Sequence, residues 1–260
     1  MTDIAIVVWS KSKSKPLYKP IQRITNKIAG TKNAINRLVI LNQKSAEEEE
    51  GDEEFASCSY LDDSIIIWRR GKGEKEREFK IKQRIRNETY VQRMLYISLT
   101  NELIFCSSCL LQIWSPSSSS SEFVEKQKIE ASPFSICSLC QITETRNDSK
   151  IEFASSHMNG QIMIWSKQQI NGSNYSLIKT LQAFDEWISD VIFINGEFNF
   201  LISSCYRENK IIIFKEEDEQ REELEHKEVG RLIPMSNGRF ASGGDNGSLN
   251  IWSASSSSSS

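Results

Sequence analysis

The sequence predicts an all-β fold, a β-propeller of about five to six four-stranded blades, on three observations. One hairpin is written five times. Its clearest copy is Phe240-Ala-Ser-Gly-Gly-Asp-Asn-Gly-Ser-Leu-Asn-Ile-Trp-Ser253, a small-residue strand, a tight turn and an alternating strand that closes on Trp252. Asp245-Asn246-Gly247 suits that turn, because Asn and Gly accept the positive φ a tight hairpin requires. Phe55 to Trp68 and Phe153 to Trp165 repeat the pattern closely, Phe105 to Trp114 and Leu201 to Phe214 more loosely. The second observation is the interval: the terminal aromatics Trp68, Trp114, Trp165, Phe214 and Trp252 lie 46, 51, 49 and 38 residues apart. A period of roughly 40–45 residues with four short strands per unit marks propeller blades. The third is the pair of triplets Ile65-Ile-Ile67 and Ile211-Ile-Ile213. They are apolar on both strand faces, as strands sandwiched between neighbouring blades must be.

These residues resemble the WD40 repeat family, whose units carry a small-residue strand, an Asp/Asn-Gly turn and a strand closing on Trp-Asp. The resemblance covers most of the chain, with departures. No Gly-His dipeptide occurs, and Ser, Arg or Lys replaces the Asp after each aromatic. In that family His, Asp, Ser/Thr and Trp form a hydrogen-bond network inside each blade. By resemblance Trp68, Trp114, Trp165 and Trp252 take the Trp position, and Ser57, Ser155 and Ser242 the Ser position. Asp62, Asn159 and Asn246 stand near the Asp position. With the His missing, the network is not carried over.

In chain order, Asp3 to Trp9 reads as a third strand closing on Trp9, and Lys19 to Thr25 as an outer strand. Ala34 to Asn42 is an inner strand. The acidic run Glu47 to Glu54 reads as a solvated loop in preference to a docking tail for a basic partner. Arg69 to Arg86 is strongly charged, with Phe79, Ile81 and Ile85 supplying an outer strand. Met94 to Leu99, the hairpin Ile104 to Trp114 and the outer strand Phe123 to Ile129 follow, the last behind a Ser-rich connector at Ser115 to Ser121. The next blade is read from Phe134 to Ile142, Ile151 to Ser156, Gln161 to Trp165 and Tyr175 to Leu181. In the one after it Asp190 and Val191 enter the inner strand, and Phe200 to Ser204 pairs with Lys210 to Phe214. Glu216 to Glu228 reads as a solvated loop or short helix. Gly230 to Met235 and the hairpin from Arg239 to Trp252 end the pattern.

This gives two strands, four blades of four, and three strands. The expectation is a single WD40-like propeller over 1–260 whose blades end near Trp9, Trp68, Trp114, Trp165, Phe214 and Trp252, with 253–260 a disordered Ser tail. The last blade is expected to borrow its outer strand from the N-terminal segment; the rival is a fragment of a longer propeller.

Composition narrows the function. The net charge of −3 argues against a nucleic-acid surface as the main role, since phosphate binding draws on clustered Lys and Arg. No apolar run approaches the ~18 residues of a membrane span, and Met1 to Trp9 is too short and lacks the basic lead of a secretory signal. An intracellular protein, cytoplasmic or nuclear, is expected. Cys106-x-x-Cys109 and Cys137-x-x-Cys140 have a zinc-knuckle spacing. Cys106, however, aligns with Ala56, Ala154 and Ala241, and Cys137 and Cys140 fall in a strand, so buried free cysteines are expected. The two histidines, His157 in a hairpin turn and His226 in a charged loop, leave little for a nucleophilic triad or a metal site. Arg70-Gly-Lys-Gly-Glu74 lacks the spacing of a phosphate-binding loop. The expectation is a non-enzymatic protein–protein interaction scaffold, the role WD40 proteins generally have, with no cofactor and no small-molecule substrate. Candidate contacts are Trp187, Tyr60 and Tyr206, beside the charged loops 47–54 and 216–228. The alternative is a nucleic-acid-binding propeller using the basic stretches 11–15 and 69–86, diluted there by Glu74, Glu76 and Glu78.

Overall fold

The computed structural model describes residues 5–11, 18–25, 35–41, 53–59, 63–70, 78–142, 150–168, 174–195, 199–215 and 221–253. All regular structure among them is β. Sheet 1 is β1 (Ala5–Lys11) with β2 (Tyr18–Thr25), and sheet 2 is β3 (Ile35–Ile40), β4 (Glu53–Ser59), β5 (Ser64–Arg70) and β6 (Lys80–Arg86). Sheet 3 comprises β7 (Arg93–Ile97), β8 (Glu102–Ser107), β9 (Leu110–Pro116) and β10 (Phe123–Glu130). Sheet 4 comprises β11 (Ile136–Gln141), β12 (Lys150–His157), β13 (Gln161–Gln168) and β14 (Ser176–Gln182). Sheet 5 comprises β15 (Asp190–Ile194), β16 (Phe200–Cys205), β17 (Lys210–Lys215) and β18 (Arg221–Glu225). Sheet 6 has three strands, β19 (Val229–Pro234), β20 (Arg239–Gly244) and β21 (Leu249–Ser253). Neighbours within each sheet are antiparallel and consecutive in sequence. The strand count is therefore the one the repeats predict. One local reading is corrected: 216–228 is not simply a loop or helix, because Arg221–Glu225 pairs with β17 as an outer strand.

The chain divides into two compact units, 1–131 and 132–260, holding sheets 1–3 and 4–6. In the first, Ile6 and Ile24 of sheet 1 pack with Ile66, Trp68 and Phe79 of sheet 2. The opposite face of sheet 2, through Ala56, Cys58, Ile65 and Ile67, packs with Leu103 and Phe105 of sheet 3. In the second unit Ala154 and Ile162 of sheet 4 pack with Val191, Leu201 and Ile212 of sheet 5. Ile192, Ile202 and Ile211, on the other side of sheet 5, pack with Val229, Leu232 and Phe240 of sheet 6. Because β-strand side chains alternate, the Ile triplets feed both faces at once. Each fully buried aliphatic side chain contributes roughly 1.5–3 kcal/mol.

The outer strands carry a repeat of their own. Tyr18, Phe79, Phe123 and Tyr175 each stand two residues before the partner of a closing Trp, in the pairs Trp9↔Pro20, Trp68↔Ile81, Trp114↔Glu125 and Trp165↔Leu177. The next residue of each outer strand (Ile21, Lys82, Lys126, Ile178) is skipped by the ladder, a β-bulge opposite the ring. The residue after the bulge is Gln in three of the four strands, and at Gln22 and Gln83 it grips the next sheet. Gln22 donates through Nε2 to the Phe79 carbonyl (3.0 Å) and accepts from the Phe79 N–H (2.7 Å). Gln83 does the same to Phe123, at 2.7 Å both ways. Each clamp satisfies one backbone donor and one acceptor on a strand edge. Replacing Gln83 by Leu keeps the bulk and orphans both groups, so chemical denaturation should show a loss of about 1–3 kcal/mol. The same substitution at exposed Gln182, whose amide reaches the Asn159 and Phe184 carbonyls from a solvent-facing position, would be the comparison, with a smaller loss expected.

Candidate functional site

The groups in this chain that are chemically able to act are built into the blades. In sheet 6 five side chains form one relay. Trp252 Nε1–H donates to Ser242 Oγ (2.7 Å), which lies 2.6 Å from His226 Nδ1; His226 Nε2 lies 2.6 Å from Ser248 Oγ, which donates to Asn246 Oδ1 (2.6 Å). Only one proton arrangement serves every link. Ser248 gives its proton to Asn246 and must accept from His226 Nε2–H, so Nδ1 is the bare nitrogen and takes the Ser242 proton. Trp, Ser and His are here joined as in the family network that the sequence reading did not carry over, with Ser248 and Asn246 completing it. The reading that the His is missing is corrected: His226 is buried and follows β18 directly.

Sheet 4 reaches the same end by another route. Trp165 Nε1–H donates to Ser155 Oγ (2.8 Å), which lies 2.9 Å from His157 Nε2, while His157 Nδ1 faces the Phe134 carbonyl (3.4 Å). The carbonyl can only accept, so Nδ1 carries the proton and Nε2 takes the Ser155 hydroxyl. His157 is the last residue of β12, two after Ser155, so the imidazole comes from inside the hairpin. In sheet 2 Trp68 donates to Ser57 (2.8 Å). Sheet 5 has Phe214 in place of Trp, and Ser203 turns to the Ile212 carbonyl (3.4 Å).

Sheet 3 departs from the reading. Trp114 pairs with Leu103, as Trp68 pairs with Phe55, so the position of Ser57 is taken by Phe105 and that of Ala56 by Ile104. Cys106 is thus not in the Ala position, and Ser107 is not in the Ser position. The cause is a shorter turn: Ser107 faces Leu110 across two residues, with Ser108 at φ 53. Among the described residues the buried Trp114 Nε1 and Ser107 Oγ have no partner. All six cysteines are free. Burial pushes the Cys58 thiol up to about 11 and raises those of Cys140 and Cys205, so none of the three is a ready thiolate nucleophile. Among the described residues no three His, Cys, Asp or Glu side chains could share a metal ion.

One surface free to meet a partner lies at one end of sheets 4 and 5, where the inner strands begin. Three connections are tied together through His157: Met158 N–H donates to the Ser135 carbonyl (3.0 Å), and the His157 carbonyl accepts from Ile188 (3.4 Å) and Gly160 (3.2 Å). Gly160 has φ +77, and a Cβ there would stand 1.8 Å from the Phe184 carbonyl oxygen, so only glycine fits. Asp190, nearly buried, holds the base of this platform. It accepts from Ser138 of sheet 4 (2.7 Å) and from the Leu232 N–H of sheet 6 (3.1 Å). On these connections Phe134, Met158 and Trp187 are 46%, 53% and 36% exposed. Glu208 caps the Asp185 and Glu186 N–H groups (2.9 and 3.2 Å), and Arg207 pairs with Glu186 (3.7 Å). Tyr206, half-buried, donates its N–H to Ser189 Oγ (2.9 Å). Of the residues named as candidate contacts, Trp187 and Tyr206 therefore share this end, and Tyr60 lies outside the described residues, as do 47–52 of the acidic run and 12–15 and 71–77 of the basic stretches. Phe134 and Met158 were missed. The Phe134 carbonyl accepts from the His157 ring and the Met158 N–H bonds the Ser135 carbonyl, contacts that no sequence interval displays.

The fold has solved relatives. The chain is similar to the structure of U3-55K, with a TM-score of 0.65 and 16% identity over 87% of this chain and 63% of that one. It is similar to the crystal structure of the RRP9 WD40 repeats, with a TM-score of 0.66 and 16% identity over 88% and 62%. The chain thus spans slightly under two thirds of the length of either structure. No protein-family model matches it, and no curated protein matches it in sequence. The fold is the WD40-type β-propeller.

Ser242→Ala should cost about 1–3 kcal/mol in chemical denaturation, because it strands the Trp252 N–H. Ser107→Ala should be neutral or slightly stabilising, since that hydroxyl is already without a partner. Burial lowers the pKa of both His157 and His226 below the usual value near 6.5. Depressed groups stabilise the fold fully above their unfolded pKa and less as pH falls below it. The melting temperature should accordingly drop from pH 7 to pH 5, and by less in His226→Gln.

Proposed function

We propose that this chain is a non-catalytic scaffold for protein–protein association, and that the loop end of sheets 4 and 5 is a contact surface. The WD40-type propeller is a fold of the interaction-scaffold kind: rigid sheets present variable loops, where binding residues concentrate. Fold alone does not assign function. The observation that carries the reading is the contrast within this end of unit 132–260. The one imidazole described there, that of His157, is buried in the Ser155–Trp165 network, while Phe134, Met158 and Trp187 stand out from connections its backbone locks together. Large apolar side chains on a preorganised backbone lose little freedom on binding, and aromatic ones are enriched where binding energy concentrates.

The basic stretch 69–86 favours this reading over nucleic-acid binding. Arg70 pairs with Glu53 (2.6 Å), Lys82 with Glu54 (2.8 Å) and Arg69 with Glu54 (3.7 Å). The acids that begin β4 therefore neutralise cations that a phosphate backbone would need.

The test is affinity capture from a lysate on the immobilised chain, read by mass spectrometry, beside a Trp187→Ala/Met158→Glu double variant. Loss of most specifically retained proteins with an unchanged melting temperature supports the loop end as the contact surface. Retention of the same set by the variant rules that surface out.

A further inference from the structure

The outer strands of the first unit share a sign that the fold does not require. β2, β6 and β10 carry eight Lys and Arg against two Glu, whereas β14 and β18 of the second unit carry two against three. Charge of either sign keeps an open strand edge from pairing, as the glutamates of β18 do, so guarding the edge does not explain the excess. The cations are also in phase. Counting from the residue opposite the closing Trp, the third place on holds Arg23, Arg84 and Lys128, each directly after the Gln that follows the bulge. The same place in β14 holds Thr180. The Gln22 and Gln83 clamps tie β2 to β6 and β6 to β10, so the three strands form one continuous surface on which the cations repeat at one level. Lys82 is engaged by Glu54 (2.8 Å), and Lys128 stands 3.8 Å from Glu88. Glu88 is exposed, and a pair so open to solvent is worth little and is easily exchanged. Lys19, Arg23, Lys80, Arg84, Arg86 and Lys126 are all exposed. Tyr18, Ile21, Ile81 and Val124 are exposed among them.

We propose that this outer-strand surface binds a segment of another protein in which Glu or Asp residues are interspersed with apolar ones. The charge selects a polyanion, and the aliphatic side chains select which. A phosphate backbone has no group for Ile21, Ile81 and Val124. Unpaired bases stack on rings, and Tyr18 is the one ring exposed on these strands. An acidic segment with Leu, Ile or Phe between its carboxylates answers both sets of side chains. Opposite charge on the two partners also steers their encounter and disfavours basic competitors. The surface belongs to unit 1–131 and the loop end of sheets 4 and 5 to unit 132–260, so each proposal stands or falls alone.

The probe is the fluorescent peptide Glu-Glu-Leu-Glu-Glu-Phe-Glu-Glu-Ile-Glu-Glu, titrated into the full chain by polarisation, so that the chain's own acidic stretches are present to compete. Saturable binding that weakens with added salt is expected. Arg23→Glu/Arg84→Glu should weaken it about tenfold, since two exposed attractions become repulsions. Lys150→Glu/Lys227→Glu makes the same change in net charge at exposed sites of the other unit, and should leave the affinity nearly unchanged. A peptide with serine at its three apolar positions should bind several times more weakly, because the aliphatic contacts are lost. Should the arginine variant fail to fold, the two peptides on the parent chain decide. Absence of binding, equal binding of the serine peptide, an equal loss in the lysine variant, or tighter binding of an oligothymidylate of the same charge would overturn the proposal.

Discussion

A buried indole N–H is costly to leave without an acceptor, and much of the interior of the blades closed by Trp68, Trp165 and Trp252 follows from that cost, with Trp114 the exception. A Trp at the end of the third strand fills the space between second and outer strands, but its single donor cannot be left dry without a cost of about 1–3 kcal/mol. Ser57, Ser155 and Ser242 answer it from the neighbouring strand at 2.7–2.8 Å. A serine that accepts must then dispose of its own proton. In sheets 4 and 6 an imidazole takes it, which fixes the tautomer of that ring and in turn the group beyond it, the Phe134 carbonyl or Ser248. One donor thus organises a path from the middle of a blade to a connecting loop. Where the Trp is absent, as at Phe214, the path is absent too, and Ser203 returns to backbone.

The same path couples the interior to the surface. His157 is bonded through its ring to Ser155 and through its carbonyl to Gly160 and Ile188, so the residue that completes a blade also pins the connections bearing Phe134, Met158 and Trp187. Asp190 plays the matching part below, with one carboxylate oxygen on Ser138 and the other on the Leu232 N–H. Exposed apolar side chains in such a setting are held out by the backbone, with few alternative positions in which to bury themselves.

The fold was readable because its repeating unit is local. A hairpin of about a dozen residues states its own turn, its small residues and its closing Trp without reference to the rest of the chain, and five copies fix the period. The interior networks were less readable for the opposite reason. His226 stands 16 residues before Ser242, on the far side of an inner strand, and nothing in its charged surroundings sets it apart from a solvated loop. His157 holds the same chemical office from a different place, so a search for one spacing misses one or the other. The third hairpin misled through its serines: aligning Phe105 and Ser107 with Phe55 and Ser57 ignores the shortened turn, whereas counting back from Trp114 gives Leu103 as the cross-strand partner. The loop end was half readable. Trp187 is conspicuous as a lone Trp in a connection, but Phe134 and Met158 gain their position from hydrogen bonds between segments far apart in sequence.

The glutamine clamps set the alignment of successive outer strands by a side chain reaching backbone, and not by the length of chain that joins them. Gln22 and Phe79 are separated by 57 residues and Gln83 and Phe123 by 40, yet the geometry of the grip is the same. Insertions and deletions between these points leave the alignment where it was, since lengthening a flexible connection costs only slowly more entropy. The two intervals between closing aromatics that the clamps span, 59 residues from Trp9 to Trp68 and 46 from Trp68 to Trp114, are free to differ for that reason. A lineage carrying such a clamp can thus try out new loops at its rim while the stacking beneath them stays in step.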